Sequence, residues 1–102
     1  MKLNAVLLII AVALAPIAFA TDGGATFKAK CAACHGADGK GQTAMGKKLN
    51  LRDLGSPEVQ KQTDKELYDW TADGKGKMPA YKDNLSADEI KALVATMRTF
   101  KH

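Results

Sequence analysis

The segment Cys31-Ala32-Ala33-Cys34-His35 holds both cysteines of the chain and one of its two histidines. Two thiols separated by two residues, with an imidazole next in line, fit the C-x-x-C-H pattern of covalent haem attachment. Each thiol adds to one vinyl group of the macrocycle, and the two intervening residues set the spacing those groups demand. The next residue projects beneath the ring, where an imidazole nitrogen reaches iron. A chain built this way folds around its ligand, with helices and loops wrapping a central macrocycle.

Three other chemistries use similar residues. A redox-active dithiol belongs near a βαβ pattern, and no alternating run of Val, Ile, Thr and aromatics here reaches strand length. A structural disulfide suits an oxidising compartment. Closing so short a loop stabilises little, because the entropic effect grows with loop length. A zinc site needs a fourth ligand, and the chain has no second C-x-x-C and no H-x-x-x-H.

The N-terminal segment supports haem attachment in an exported protein. Lys2 supplies a basic start, Ala5 to Ala15 is uninterrupted apolar sequence, Pro16 breaks the run, and Ala18-Phe19-Ala20 offers a small-residue cleavage site. A membrane anchor needs about 20 apolar residues, and this run is shorter. The reading is a secretory signal over residues 1–20, cleaved after Ala20, and a mature domain over 21–102. Removing 20 of 102 residues leaves 82, and because Lys2 is the only charge lost, the formal charge falls from +4 to +3. A domain that short is marginal on apolar burial alone and ordinarily recruits a disulfide, metal or cofactor. The charges are interspersed, which argues against nucleic-acid binding, since that wants a clustered basic stripe.

Helix signals are clear. Thr21 or Asp22 caps a first helix carrying Phe27. Ser56-Pro57 places proline at a first helical position. Thr63-Asp64-Lys65-Glu66 and Ser86-Ala87-Asp88-Glu89 both read as capping boxes. The first of these helices stops near Gly74, and the second carries the apolar stripe Ile90, Leu93, Val94, Met97 and Phe100. Gly36 to Asn50 reads as loop. The expected architecture is all-α, three to four short helices joined by long loops around one covalently bound haem.

The iron's other face is open to several methionines. Met1 leaves with the signal, and Met97 lies on an apolar helical stripe, where core packing is the better reading. Met45 sits in a loop, as packing residue or ligand. Met78 lies in Gly74-Lys75-Gly76-Lys77-Met78-Pro79, where glycines allow close approach and Pro79 stiffens the exit. A Met/His pair raises the reduction potential.

These residues resemble class I cytochromes c, in particular the small bacterial and photosynthetic carriers of the c6, c551 and c553 kind. The resemblance runs from about Gly23 to Phe100. It rests on Gly23 and Phe27, on Cys31, Cys34 and His35 followed by Gly36, Gly39 and Gly41, and on Met78-Pro79. Asp88, Glu89, Ile90, Leu93 and Arg98 of the last helix complete it. It implies the cytochrome c fold, one haem c held by Cys31 and Cys34, and iron ligated by His35 and Met78. The chain departs from the family twice. Thr96 stands where an aromatic is common, so that contact is expected to be weaker or to be supplied by Phe100 or Met97. No proline lies between His35 and Pro57 to offer the carbonyl that accepts from the ligand histidine, and a carbonyl near Ala44 to Gly46 is expected in its place.

The implied function is a soluble, monomeric, non-enzymatic electron carrier of the periplasm or an equivalent exported compartment such as the thylakoid lumen, without stable membrane insertion. Trp70 and Tyr81 are expected to line the haem pocket. Lys30, Lys40, Lys47, Lys48, Lys75 and Lys77 flank the segments nearest the iron, a candidate docking face for acidic patches on redox partners. Two alternatives are a haem subunit of a larger oxidoreductase and an open-site haem enzyme or gas sensor.

Overall fold

A computed structural model describes residues 22–102, so the expected signal segment, residues 1–20, lies outside the described residues. Six helices follow in order: α1 (Gly23–Lys30), α2 (Ala32–His35), α3 (Ala44–Lys48), α4 (Pro57–Gln60), α5 (Asp64–Asp73) and α6 (Ala87–Thr99). Among the described residues the only β pairing is a single bridge between Lys75 and Met78.

Four of the helices begin where the capping residues said they would. Asp22 Oδ1 accepts from Ala25 N at 3.0 Å, and Ser56 caps α4 with Pro57 at its first position. Thr63 and Glu66 form a reciprocal capping box at α5, and Ser86 and Glu89 form another at α6. Each such cap contributes about 0.5–2 kcal/mol by satisfying otherwise orphaned N–H groups. The count of six exceeds the expected three to four because the cysteine–histidine turn is itself helical, as α2, and because the single turn α3 forms within the stretch read as loop. Thr43 is the hinge of that arrangement: its hydroxyl donates to Cys34 O at 2.6 Å and accepts from Gly46 N at 2.8 Å. The turn α3 is thereby fastened directly to the turn that carries the cysteines.

The core lies where α6 packs on α1 and α5. Ile90, Leu93, Val94 and Met97 of α6 are buried against Phe27 of α1 and Leu67 and Ala72 of α5. Gly23 permits the α1–α6 crossing, since a Cβ there would overlap Ala92 O and come within 2.6 Å of Thr96 Oγ1. A threonine in place of the family's aromatic fits this close approach. Phe100 supplies the missing ring, stacking on Phe27 with centroids 5.1 Å apart. Gly23→Ala is expected to destabilise the protein by roughly 1–3 kcal/mol through overpacking, read from the denaturant midpoint.

The end of α6 is tied to the loop before α4. Gln60 Nε2 donates to Leu54 O at 2.8 Å and Met97 O at 3.0 Å. Arg98 donates to Gln60 O, Gln62 O and Asp64 Oδ1. Beyond α6, His102 N donates to Gly55 O at 3.2 Å, and His102 Nε2 shares a 2.7 Å hydrogen bond with Asp53 Oδ2. The bond from His102, with that from Gly55 N, holds the Asp53 carboxyl below its ordinary pKa. A depressed folded pKa means that the stabilisation is complete above the unfolded value, about 3.9. It fades as pH falls through the lower folded value. Asp53→Asn should therefore flatten the acid limb of a stability–pH curve, read from denaturant midpoints taken between about pH 2 and 5.

Candidate functional site

The motif turn begins where α1 ends. Cys31 N donates to Phe27 O at 2.8 Å, and Cys34 N and His35 N both donate to Cys31 O. The chain therefore stays helical through α2, and Gly36, at φ 79°, ends it. Cys31 is buried and Cys34 half-buried, with no disulfide between them. Burial pushes the Cys31 thiol above its ordinary pKa, with Lys30 opposing.

Both thiols open on a cavity of about 550 Å³, within the range of about 300–1,000 Å³ common for small-molecule and cofactor sites. His35 and Met78 line the same cavity, as do Trp70 and Tyr81. The four residues expected to hold the cofactor thus share one wall system. Met45 does not belong to it: it lies on α3 at 45% exposure. His102 lies elsewhere, against Asp53. Met97 does reach the cavity, but from within the packed core, at 6% exposure.

Met78 is presented by a tight hairpin. Lys75 N donates to Met78 O at 3.1 Å, and Met78 N donates to Lys75 O at 3.0 Å. Gly74 has φ 70°, and a Cβ there would lie 2.7 Å from Ala80 N, so the hairpin closes only on glycine. The chain leaves through Tyr81, whose N contacts Thr71 O and Ala72 O and whose hydroxyl donates to Lys30 O at 3.3 Å.

The residues fit a haem. Leu49, Leu51, Leu54 and Leu67 give the cavity apolar walls, and two thiols stand at the attachment spacing. Burial lowers the His35 pKa, favouring the neutral imidazole that binds metal. Its Nδ1 is buried without a hydrogen-bond partner among the described residues. This corrects the expectation of an accepting carbonyl near Ala44 to Gly46. Gly46 O accepts from Leu51 N, Met45 O accepts from Leu49 N, and Thr43 occupies Cys34 O.

Lys30, Lys48, Lys75 and Lys77 line the cavity, whereas Lys40 and Lys47 do not. Arg52 joins them, a residue that sequence reasoning passed over. The available signal was an arginine set among Leu49, Leu51 and Leu54 in a segment with no helical period. No aspartate or glutamate lines the cavity. Trp70 carries two of these cations on its ring, Lys75 Nζ at 4.5 Å and the Arg52 guanidinium at 5.2 Å from the centroid.

Comparison with known proteins agrees with this geometry. A family model described as cytochrome c oxidase, cbb3-type, subunit III matches residues 18–97. The cytochrome c6 of Leptolyngbya boryana is 41% identical over 74 residues, 72% of this chain and 84% of that protein. The solved KustC0563 c-type cytochrome superposes with a TM-score of 0.74 at 34% identity, covering 79% of this chain and 99% of its own. Cytochrome c6C from Synechococcus sp. PCC 7002 gives 0.58 at 29% identity, over 76% of this chain and 93% of its own. By these likenesses the chain belongs to the class I c-type cytochromes, haem electron carriers with one covalently bound haem c.

Proposed function

We propose that this cytochrome shuttles single electrons between redox proteins in an exported compartment, the periplasm or its equivalent, with haem bound through Cys31 and Cys34 and iron ligated by His35 and Met78. The observation that carries the reading is the shared cavity: both thiols, the imidazole and the Met78 thioether line it, while Met45 and His102 stand outside. The haem supplies the one-electron couple, and the protein sets its potential and access. With His35 and Met78 both holding the iron, no position would be left for a substrate, which supports a carrier over an enzyme.

Each residue has a task in that scheme. Cys31 and Cys34 anchor the ring from the end of α1. His35, neutral through burial, offers a lone pair to iron. The apolar walls exclude water, which favours the less charged, reduced state together with the thioether. Export rests on the signal-like residues 1–20. No described helix is long and apolar enough to cross a membrane.

The partner is read as an acidic redox protein. Five exposed cations (Lys30, Lys48, Arg52, Lys75 and Lys77) border the cavity without a carboxylate among its lining. Such a rim speeds diffusional encounter more than it tightens binding. Replacing Lys30, Lys48 and Lys77 together by glutamine should slow second-order electron transfer to an acidic partner at low salt at least tenfold, and the difference should shrink as salt screens the field. A rate unaffected by both substitution and salt would contradict this docking face.

The family description as an oxidase subunit favours one second reading, a haem subunit in a fixed complex. Purification of the native protein separates the two: a carrier runs alone as a monomer, whereas a subunit brings a stoichiometric partner.

A further inference from the structure

The hairpin that presents Met78 is weakly tied to its surroundings. Its two backbone hydrogen bonds, between Lys75 and Met78, lie within the hairpin. Among the described residues, no side-chain hydrogen bond or ion pair connects residues 75–79 to the rest of the protein. The one lateral tie is Lys75 on the face of Trp70, at 4.5 Å. The same ring holds Arg52 at 5.2 Å, and Arg52 belongs to the 49–54 loop, whose leucines wall the cavity. Trp70 itself stands on α5, an element packed into the core through Leu67, Thr71 and Ala72. A helix packed into the core thus offers one aromatic ring to a cation from each of two loops that border the cavity.

We propose that Trp70 is a positioning residue. By binding Lys75 and Arg52 on its ring, it clasps the Met78 hairpin and the 49–54 loop over the cavity, and so slows departure of the Met78 thioether from iron. The inference rests on the reading of Met78 as a ligand. An ammonium or guanidinium within about 6 Å of an indole is attracted by the ring quadrupole, most strongly for tryptophan. At partly exposed sites the attraction changes an opening equilibrium by about twofold to fivefold per contact. A factor of that size is small for global stability but decisive for a local opening that competes with a ligand from solution.

Two measurements on the ferric holoprotein test the proposal. The first is hydrogen exchange at the Lys75 and Met78 amides; the second is imidazole affinity, since imidazole competes with the thioether for iron. Lys75→Ala and Trp70→Ala are each expected to accelerate exchange at both amides, on the order of fivefold, and to raise imidazole affinity by a similar factor. Lys75→Arg and Trp70→Phe keep a cation on a ring and should restore most of the difference. Lys91→Ala, on the exposed side of α6, serves as the control for lost charge alone. The Lys75→Ala, Trp70→Ala double variant should be no worse than Trp70→Ala alone, because the indole's loss already removes the Lys75 contact.

Unchanged exchange in Lys75→Ala, a double variant with multiplied effects, or an equal effect from Lys91→Ala would overturn the clasp. Lys75 is exposed, so its variants fold whatever becomes of Trp70→Ala. Accelerated exchange with unchanged imidazole affinity would overturn the link to ligand release. If the iron–sulfur band also survives in Met78→Ala, the fault lies with Met78 as ligand and not with the clasp.

Discussion

Replacing Cys31 and Cys34 together by serine should give a chain that carries no covalent haem and does not hold its fold. The first part reads as loss of the haem-linked peroxidase stain after denaturing electrophoresis; the second reads as loss of helical far-UV circular dichroism. The physical reason is the cavity of about 550 Å³ that both cysteines line. The lining left without the macrocycle loses its packing partners, a cost that grows with the unfilled apolar volume. The whole stability of a natural domain is about 5–15 kcal/mol. The remaining core, formed by Phe27, Leu67, Ile90, Leu93, Val94 and a few neighbours, is too small to absorb that loss. A double-serine protein that keeps both native helicity and cooperative unfolding would contradict the view of haem as the missing core.

Met78→Ala should abolish the iron–sulfur charge-transfer band of the oxidised protein and lower the reduction potential by 100 mV or more, on the order of an eighth of the ~0.8 V range that axial ligands command. Thioether sulfur favours ferrous iron, so its loss leaves water or an added ligand that favours ferric iron. The structure supplies the comparison variants. Met45→Ala should leave the band intact, since Met45 is exposed on α3 and outside the cavity. Met97→Leu should also keep the band while costing less than about 1.5 kcal/mol of stability, because it exchanges one buried apolar side chain for another of similar volume. If Met97→Leu, and not Met78→Ala, removed the band, the ligand would come from α6 instead of the hairpin.

The parts of this protein that could be read from its sequence are those whose causes are local. Asp22, Ser56, Thr63 and Ser86 each bond an amide within three residues, so four helix starts were visible before any tertiary contact was known. The cysteine–histidine turn is equally local. The turn α3 was not visible, because it stands on the Thr43 hydroxyl reaching back to Cys34 O, nine residues away. Arg52 was missed for the same reason: its meaning comes from Trp70, on another element. Met78 lay between these cases. Its loop character was local and its competition with Met45 was not; the exposure of Met45, outside the cavity that Met78 lines, supports the proposal of Met78. The hydrogen bond expected for His35 Nδ1 does not form: no carbonyl of Ala44 to Gly46 accepts from it.

The central claim is a six-coordinate, covalently bound haem that exchanges one electron, and a redox titration of the purified holoprotein followed by optical spectra tests it most directly. The account predicts a single one-electron transition, low-spin spectra in both states, and an iron–sulfur band that disappears on reduction. A high-spin, five-coordinate spectrum in the wild-type protein would contradict it.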